Sequence, residues 1–182
     1  MKNVSRFIEK KLELKVNMTK SKVSKPNDIK YLGFGFYKDY KAGGVYKAKP
    51  HEISIVKLKA KIKKLTTRSW SVSLKYRFLK IKQLIVGWIN YYRIGYFKKK
   101  CMRIDGWLRF RIRMCIWKQW KLPKTRKRNL IKLGISEYFA HQAANSRRKY
   151  WYVSGMGAVN RALTKERLIN SGFYDLATAY QS

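Results

Sequence analysis

Apolar positions recur every three or four residues through the middle of the chain and every second residue near its start. Ile55, Leu58, Ile62 and Leu65 share one face of a helix expected over about 53–65, with Lys57, Lys59, Lys61, Lys63 and Lys64 spread over the rest. A second helix is expected from a cap at Ser73 to about 97. Phe78, Ile81, Ile85, Trp88, Ile89, Tyr92 and Tyr96 fall there inside an arc of roughly 100°, which reads as core. A third, over about 102–121, puts Ile104, Leu108, Ile112, Cys115 and Ile116 within roughly 120° and is stopped by Pro123. Arg109, Arg113 and Trp117 lie beyond that edge; Arg111 and Lys118 form a basic row on the opposite flank. Three helices with narrow apolar faces and short connections predict a bundle.

The flanks are less regular. A short amphipathic helix is expected over 5–12, capped by Ser5, with Phe7, Ile8 and Leu12 on one face. Leu14, Val16 and Met18 alternate with polar residues, and an aromatic run covers 31–37, so two strands joined across 26–28 are expected. Gly33 and Gly35 inside the second run mark either the close approach of another backbone or ligand, or an ordinary bulge. Residues 39–50 carry Gly43-Gly44 and end in Pro50, which reads as a hairpin loop or linker and sets the main boundary. Beyond the bundle, short helices are expected over 125–133, closed by Gly134, over 136–144, and finally over 164–169, ending at Gly172. The fold class is mainly α, a helical bundle preceded by a small α/β unit.

Charge changes the picture. The formal net charge is +35, from 44 basic and 9 acidic residues, so the chain repels itself unless a polyanion neutralises it. Between Lys98 and Arg128 thirteen Lys or Arg face a single acid, Asp105, and are interleaved with Trp107, Phe110, Trp117 and Trp120. Such a basic stretch can be a solvated face, and the lysines of the first bundle helix read that way about as well as they read as contacts. In the central stretch, arginine stems over aromatic rings with so little acid to satisfy them point to nucleic acid. The candidate binding residues are Arg109, Arg111, Arg113, Lys118, Lys121, Lys124, Arg126 and Arg128, joined in the tail by Arg147, Arg148 and Trp151. Cys101 and Cys115 form no CxxC pair and His51 and His141 stand far apart, so no metal or disulfide framework is read. The absence of a membrane-length apolar run or signal-peptide core makes a cytoplasmic protein without membrane contact the expectation.

Several stretches together resemble the C-terminal part of bacterial group II intron-encoded reverse transcriptase/maturase proteins: YLGFGFY, GWINYYRIGYF, the block DGWLRFRIRMCIWKQWKLPKTRKRNLIKLGI, and NSRRKYW followed by RALTKERL. The resemblance implies that residues 1–40 are the end of a palm, 41–50 a linker or hairpin, 51–134 the thumb or maturase domain, and 135–182 a short DNA-binding region. It further implies that Leu32, Gly33 and Phe34 are primer-grip-like, with a nucleic-acid backbone as the close approacher. Lys20 would match the palm lysine near the incoming nucleotide, a proton donor to pyrophosphate. The implied partners are group II intron RNA, an RNA–DNA template–primer duplex and target DNA, in RNA splicing and retrohoming.

One departure limits what this chain can do. The family's catalytic Tyr-x-Asp-Asp box holds Mg²⁺, and no Asp-Asp pair occurs anywhere here, so no catalytic residue, metal ligand or cofactor is assigned and no polymerase activity is expected of the chain alone. The expected role is that of a binding module. Two alternatives are one part of a split polymerase, active only with an upstream palm polypeptide, and a decayed intron remnant with exposed strand edges.

Overall fold

The three apolar stripes become three helices around one core. The structure, a computed structural model, describes residues 1–181. In chain order they form α1 (Lys2–Lys11), β1 (Phe34–Asp39), β2 (Val45–Pro50), α2 (Glu52–Leu65), α3 (Leu74–Tyr92), α4 (Lys98–Gln119), α5 (Pro123–Lys132), α6 (Glu137–Ala144), α7 (Tyr150–Ser154), α8 (Gly157–Ala162), α9 (Lys165–Asn170) and α10 (Leu176–Gln181). The class is mainly α, with a single two-stranded antiparallel sheet among the described residues.

Caps fix the ends of the bundle helices. His51 Nδ1 accepts from Ile53 N at 3.2 Å to open α2, and the Ser73 hydroxyl accepts from Tyr76 N at 3.2 Å to open α3. At the other end of α2 the carbonyls that lack intrahelical partners are taken by two arginines. Arg77 donates to Leu65 O and, at 2.8 Å, to Trp70 O, while Arg111 donates to Thr66 Oγ1 at 2.7 Å and Thr66 O at 3.1 Å. Cationic groups suit that pole of the helix dipole. Ile55, Leu58 and Ile62 of α2, Phe78, Ile81, Ile85 and Ile89 of α3, and Ile104, Leu108, Ile112, Cys115 and Ile116 of α4 are all buried, as their spacing predicts. The remaining helices complete the core through Leu130, Ala140, Val153, Val159, Leu168 and Leu176.

Elsewhere the expectations need correction. Residues 14–18 form no strand. The partner of β1 is β2, in the register Phe34↔Pro50 to Asp39↔Val45, and Asn17 Oδ1 accepts from Thr19 N and Lys20 N, both at 3.1 Å, which turns the chain where the strand would run. Of the two readings for 39–50, the hairpin is the observed one, with Gly43 and Gly44 at φ +68° and +79° in its turn. Ser5 does not cap α1 but lies inside it, and Phe7 and Leu12 are exposed. Helix α3 ends at Tyr92, not at 97. Tyr96 N donates to Ala48 O at 2.8 Å, so the chain leaves the helix to meet β2, and Tyr96 is exposed rather than core. The helix α9 is not the last. Leu176 N and Ala177 N, in the first turn of α10, donate to the two carboxylate oxygens of Asp105 on α4 at 2.8 and 2.9 Å.

The turn 31–34 explains Gly33. Tyr31 and Phe34 exchange backbone hydrogen bonds, with Leu32 at φ +46° and Gly33 at φ +82° between them, the positive dihedrals of a tight hairpin turn. A Cβ at Gly33 would also meet the Tyr92 hydroxyl and, at 3.2 Å, Ser54 Oγ. Within the chain the close approachers are the Tyr92 and Ser54 side chains. Gly33→Ala is therefore expected to cost about 2 kcal/mol of stability, read as a lower urea midpoint with unchanged slope.

Candidate nucleic-acid interface

The C-terminal half of α4 meets α7, and this contact gathers cations that the sequence keeps apart. Tyr150, first residue of α7, has Arg68 of the α2–α3 loop 4.8 Å from its ring centroid, Lys118 of α4 at 5.8 Å and Arg126 of α5 at 5.7 Å. Arg126 also lies 5.0 Å from the ring of Trp117, and its Nε donates to Trp120 O at 2.9 Å, which fixes the guanidinium. Beside this cluster Trp151 packs against Phe110, tilted by 32° at 5.5 Å between centroids, and Arg148 covers Tyr152 at 4.3 Å. The ion pairs among the described residues are Lys47–Asp39, Lys100–Glu52, Lys127–Glu137 and Lys165–Asp175, so no carboxylate pairs with Arg68, Lys118 or Arg126. Three cations around one ring repel each other, and an anion placed among them relieves that repulsion.

The candidate residues divide by exposure. Lys118, Lys121, Lys124, Arg128, Arg147, Arg148 and Trp151 are exposed and available to a ligand; Arg109, Arg111 and Arg126 are half-buried. Arg113 is only 7% exposed, donating to Leu163 O at 2.9 Å and to Asn160 Oδ1, so it fastens α8 to α4 instead of facing solvent. Trp117, 2% exposed, is likewise core and presents no face to a base. Burial pulls the guanidinium pKa of both Arg111 and Arg113 down, with Arg68 adding to the effect at Arg111 and Arg109 at Arg113. Within the fold they hold α2 and α8. Arg68 and Tyr150 were not among the candidates because the short segments containing them, TTRSW and RKYWY, gain meaning only when folded against α4.

The other candidates stand apart from the cluster. In the 31–34 turn Leu32 is exposed, its carbonyl accepting from Tyr91 Oη at 2.8 Å, and Gly33 O accepts from His51 N and Ser54 Oγ, both at 2.9 Å. Phe34 is buried against Tyr91 and Tyr92, at 5.8 and 4.9 Å between centroids. Lys20 is exposed in the Asn17 turn.

A long basic helix flanked by shorter ones, with aromatic rings seated under unpaired cations, is an architecture that can be compared with known domains. Residues 55–139 match the group II intron maturase-specific domain. The chain carries a group II intron maturase-specific domain. The match runs from Ile55, the first buried apolar residue of α2, into α6, so it contains Arg68, Lys118 and Arg126 but not Tyr150. The maturase-specific domain thus supplies the cations and the segment after it supplies the ring they surround. No curated protein matches the chain.

The acidic residues do not fit the Mg²⁺ chemistry that the resemblance associates with a reverse-transcriptase palm. Both oxygens of Asp105 are taken by backbone N–H groups, and no group of three His, Cys, Asp or Glu among the described residues could hold a metal ion. No described helix is long and apolar enough to cross a membrane.

Proposed function

We propose that this maturase-domain protein acts in group II intron splicing by binding the structured intron RNA. The observation that carries the reading is the convergence of Arg68, Lys118 and Arg126 on Tyr150 without a carboxylate partner. Lys121, Lys124, Arg128, Arg147 and Arg148 extend the cationic surface, and Trp151 adds exposed aromatic area. Contacts of this kind read phosphate position and helix shape rather than sequence, the mode by which folded RNA is held. The same chemistry extends the proposal to an RNA–DNA template–primer duplex and to target DNA during retrohoming. Gripping phosphates this way draws on no cofactor.

The test is the salt dependence of RNA retention by the whole chain. Neutralising six to ten phosphates gives a log–log slope of roughly −5 to −9. A filter-binding series across monovalent salt should return a value in that range; a flat line would remove the proposal.

A second reading, membership of a split polymerase completed by an upstream palm polypeptide, is favoured by the N-terminal segment. Val4, Phe7, Leu12, Leu14 and Met18 are all more than half exposed, apolar surface of the kind that a protein partner covers. Primer extension on mixing the chain with a fingers–palm polypeptide tests it, and no extension in the mixture counts against it.

A further inference from the structure

A second basic and aromatic site lies at the opposite end of α4. A cavity of about 290 Å³ opens between the hairpin and the first turns of α2 and α4, with Tyr37, Tyr96, Lys49, Lys99 and Arg103 among its walls. Its volume is at the small end of the range for small-molecule sites, too small to admit a duplex and suited to one nucleotide. Four cations line it, Lys49, Lys99, Lys100 and Arg103, against one carboxylate, Glu52. Glu52 is already bonded to Lys100 at 2.8 Å, which leaves Lys49, Lys99 and Arg103 without an ion pair.

The rings are placed to be used. Tyr96 is 58% exposed, with Lys47 at 4.7 Å from its centroid and that ammonium tied to Asp39 at 2.7 Å. Lys49 lies 5.5 Å from the centroid of Tyr37. Tyr96 holds this position because its backbone N–H bonds Ala48 of β2, and the neighbouring Gly95 carbonyl accepts from Tyr180 Oη at 2.7 Å. The ring is therefore presented by a segment clamped from both sides. Lys100 and Lys118 are separated along α4 by about 27 Å at 1.5 Å per residue, so this cavity and the Tyr150 cluster are distinct sites.

We propose that this cavity takes one unpaired nucleotide of a single-stranded nucleic acid, the base stacked on Tyr96 and the phosphate among Lys49, Lys99 and Arg103. Stacking on an exposed ring beside a positive groove accepts any base, since every base has a π-face. The protein then holds nucleic acid in two ways at once, folded helices at one end of α4 and a loose strand at the other.

The experiment measures anisotropy of two labelled probes with the full chain: a single-stranded oligoribonucleotide of about eight nucleotides and a blunt RNA hairpin. Tyr96→Ala is expected to weaken the single strand about tenfold and leave the hairpin unchanged, with Tyr96→Phe close to the parent. Lys99→Glu should follow Tyr96→Ala, and Lys118→Glu should do the reverse. The proposal is overturned if the parent protein does not bind the single strand, if Tyr96→Ala and Lys99→Glu leave that binding intact, or if Lys118→Glu weakens both probes equally. Loss of hairpin binding in the parent protein, with a Tyr96-dependent single strand, would instead remove the structured-RNA proposal and support this one.

Discussion

Asp105→Ala is expected to lower the unfolding free energy by about 3 kcal/mol and the melting temperature by about 10 °C. The carboxylate is 1% exposed and receives two backbone donors, Leu176 N at 2.8 Å and Ala177 N at 2.9 Å. It caps α10 from another helix, doing for Leu176 and Ala177 what Asp175 does locally for Thr178 N at 2.9 Å. Truncation leaves two donors unmet in a poorly hydrated place, the costliest way to lose a hydrogen bond. Faster amide exchange at Leu176 and Ala177 should accompany the loss, since α10 is held to α4 there. An unchanged melting temperature would show that α10 docks by its apolar residues alone.

The same residue gives a pH signature. Burial pushes the Asp105 carboxyl up to about 6, opposed by the Leu176 and Ala177 N–H groups and aided by the charge of Asp175. The folded protein then binds this proton more tightly than the unfolded chain, so the contribution is present below the ordinary value of 3.8 and is lost as pH rises through about 6. Burial also acts on Asp175, but hydrogen bonds from Thr178 and the Lys165 ammonium hold it below 3.8, which confines its opposite effect to more acid solution. Between about pH 4.5 and 6 the difference in unfolding free energy between the parent protein and Asp105→Asn should therefore slope with pH. Taking the difference removes the general repulsion of the net positive charge. A flat difference would mean that Asp105 titrates normally.

The bundle could be read from sequence and the interface only in part, for reasons visible in particular residues. Ile104, Leu108, Ile112 and Ile116 are buried because a regular period of three and four fits one neighbouring surface, whatever the neighbours are. Trp117 and Arg113 sit just past that stripe, and their burial depends on α5, α7 and α8 folding over α4, which no local period encodes. The alternation at 14–18 failed for the complementary reason: a strand is a property of a pair, and the partner of β1 lies in VYKAKP, whose lysines and closing proline read as a loop. Likewise α10 has a weak apolar pattern in LATAYQ and is capped by Asp105, seventy-one residues away. Exposed cations such as Lys118 were legible as charge; the grouping of Lys118 with Arg68 and Arg126 around Tyr150 was not, because it joins three segments at one ring.

Reversing two charges at that ring should produce the largest functional loss. Arg68→Glu with Lys118→Glu is expected to weaken binding of structured RNA about 100-fold near physiological salt, two charge-assisted contacts being worth about 3 kcal/mol together. The log–log salt slope should become shallower by about two units. Both side chains are exposed and lie against the Tyr150 ring rather than in the core, so the melting temperature should hold. Arg113 and Arg111 are unsuitable for the purpose, since reversal there would break the bonds to Leu163 and Thr66 and confuse unfolding with lost affinity. The informative control is Lys10→Glu with Lys11→Glu on α1, which changes the formal charge equally, from +35 to +31 (35 − 4). If affinity depended on overall charge, the two double variants would fall together; if it depends on the cations around Tyr150, only the first falls. An RNA affinity that survives both reversals would leave the cluster without a role in binding, whatever the family of the domain that carries it.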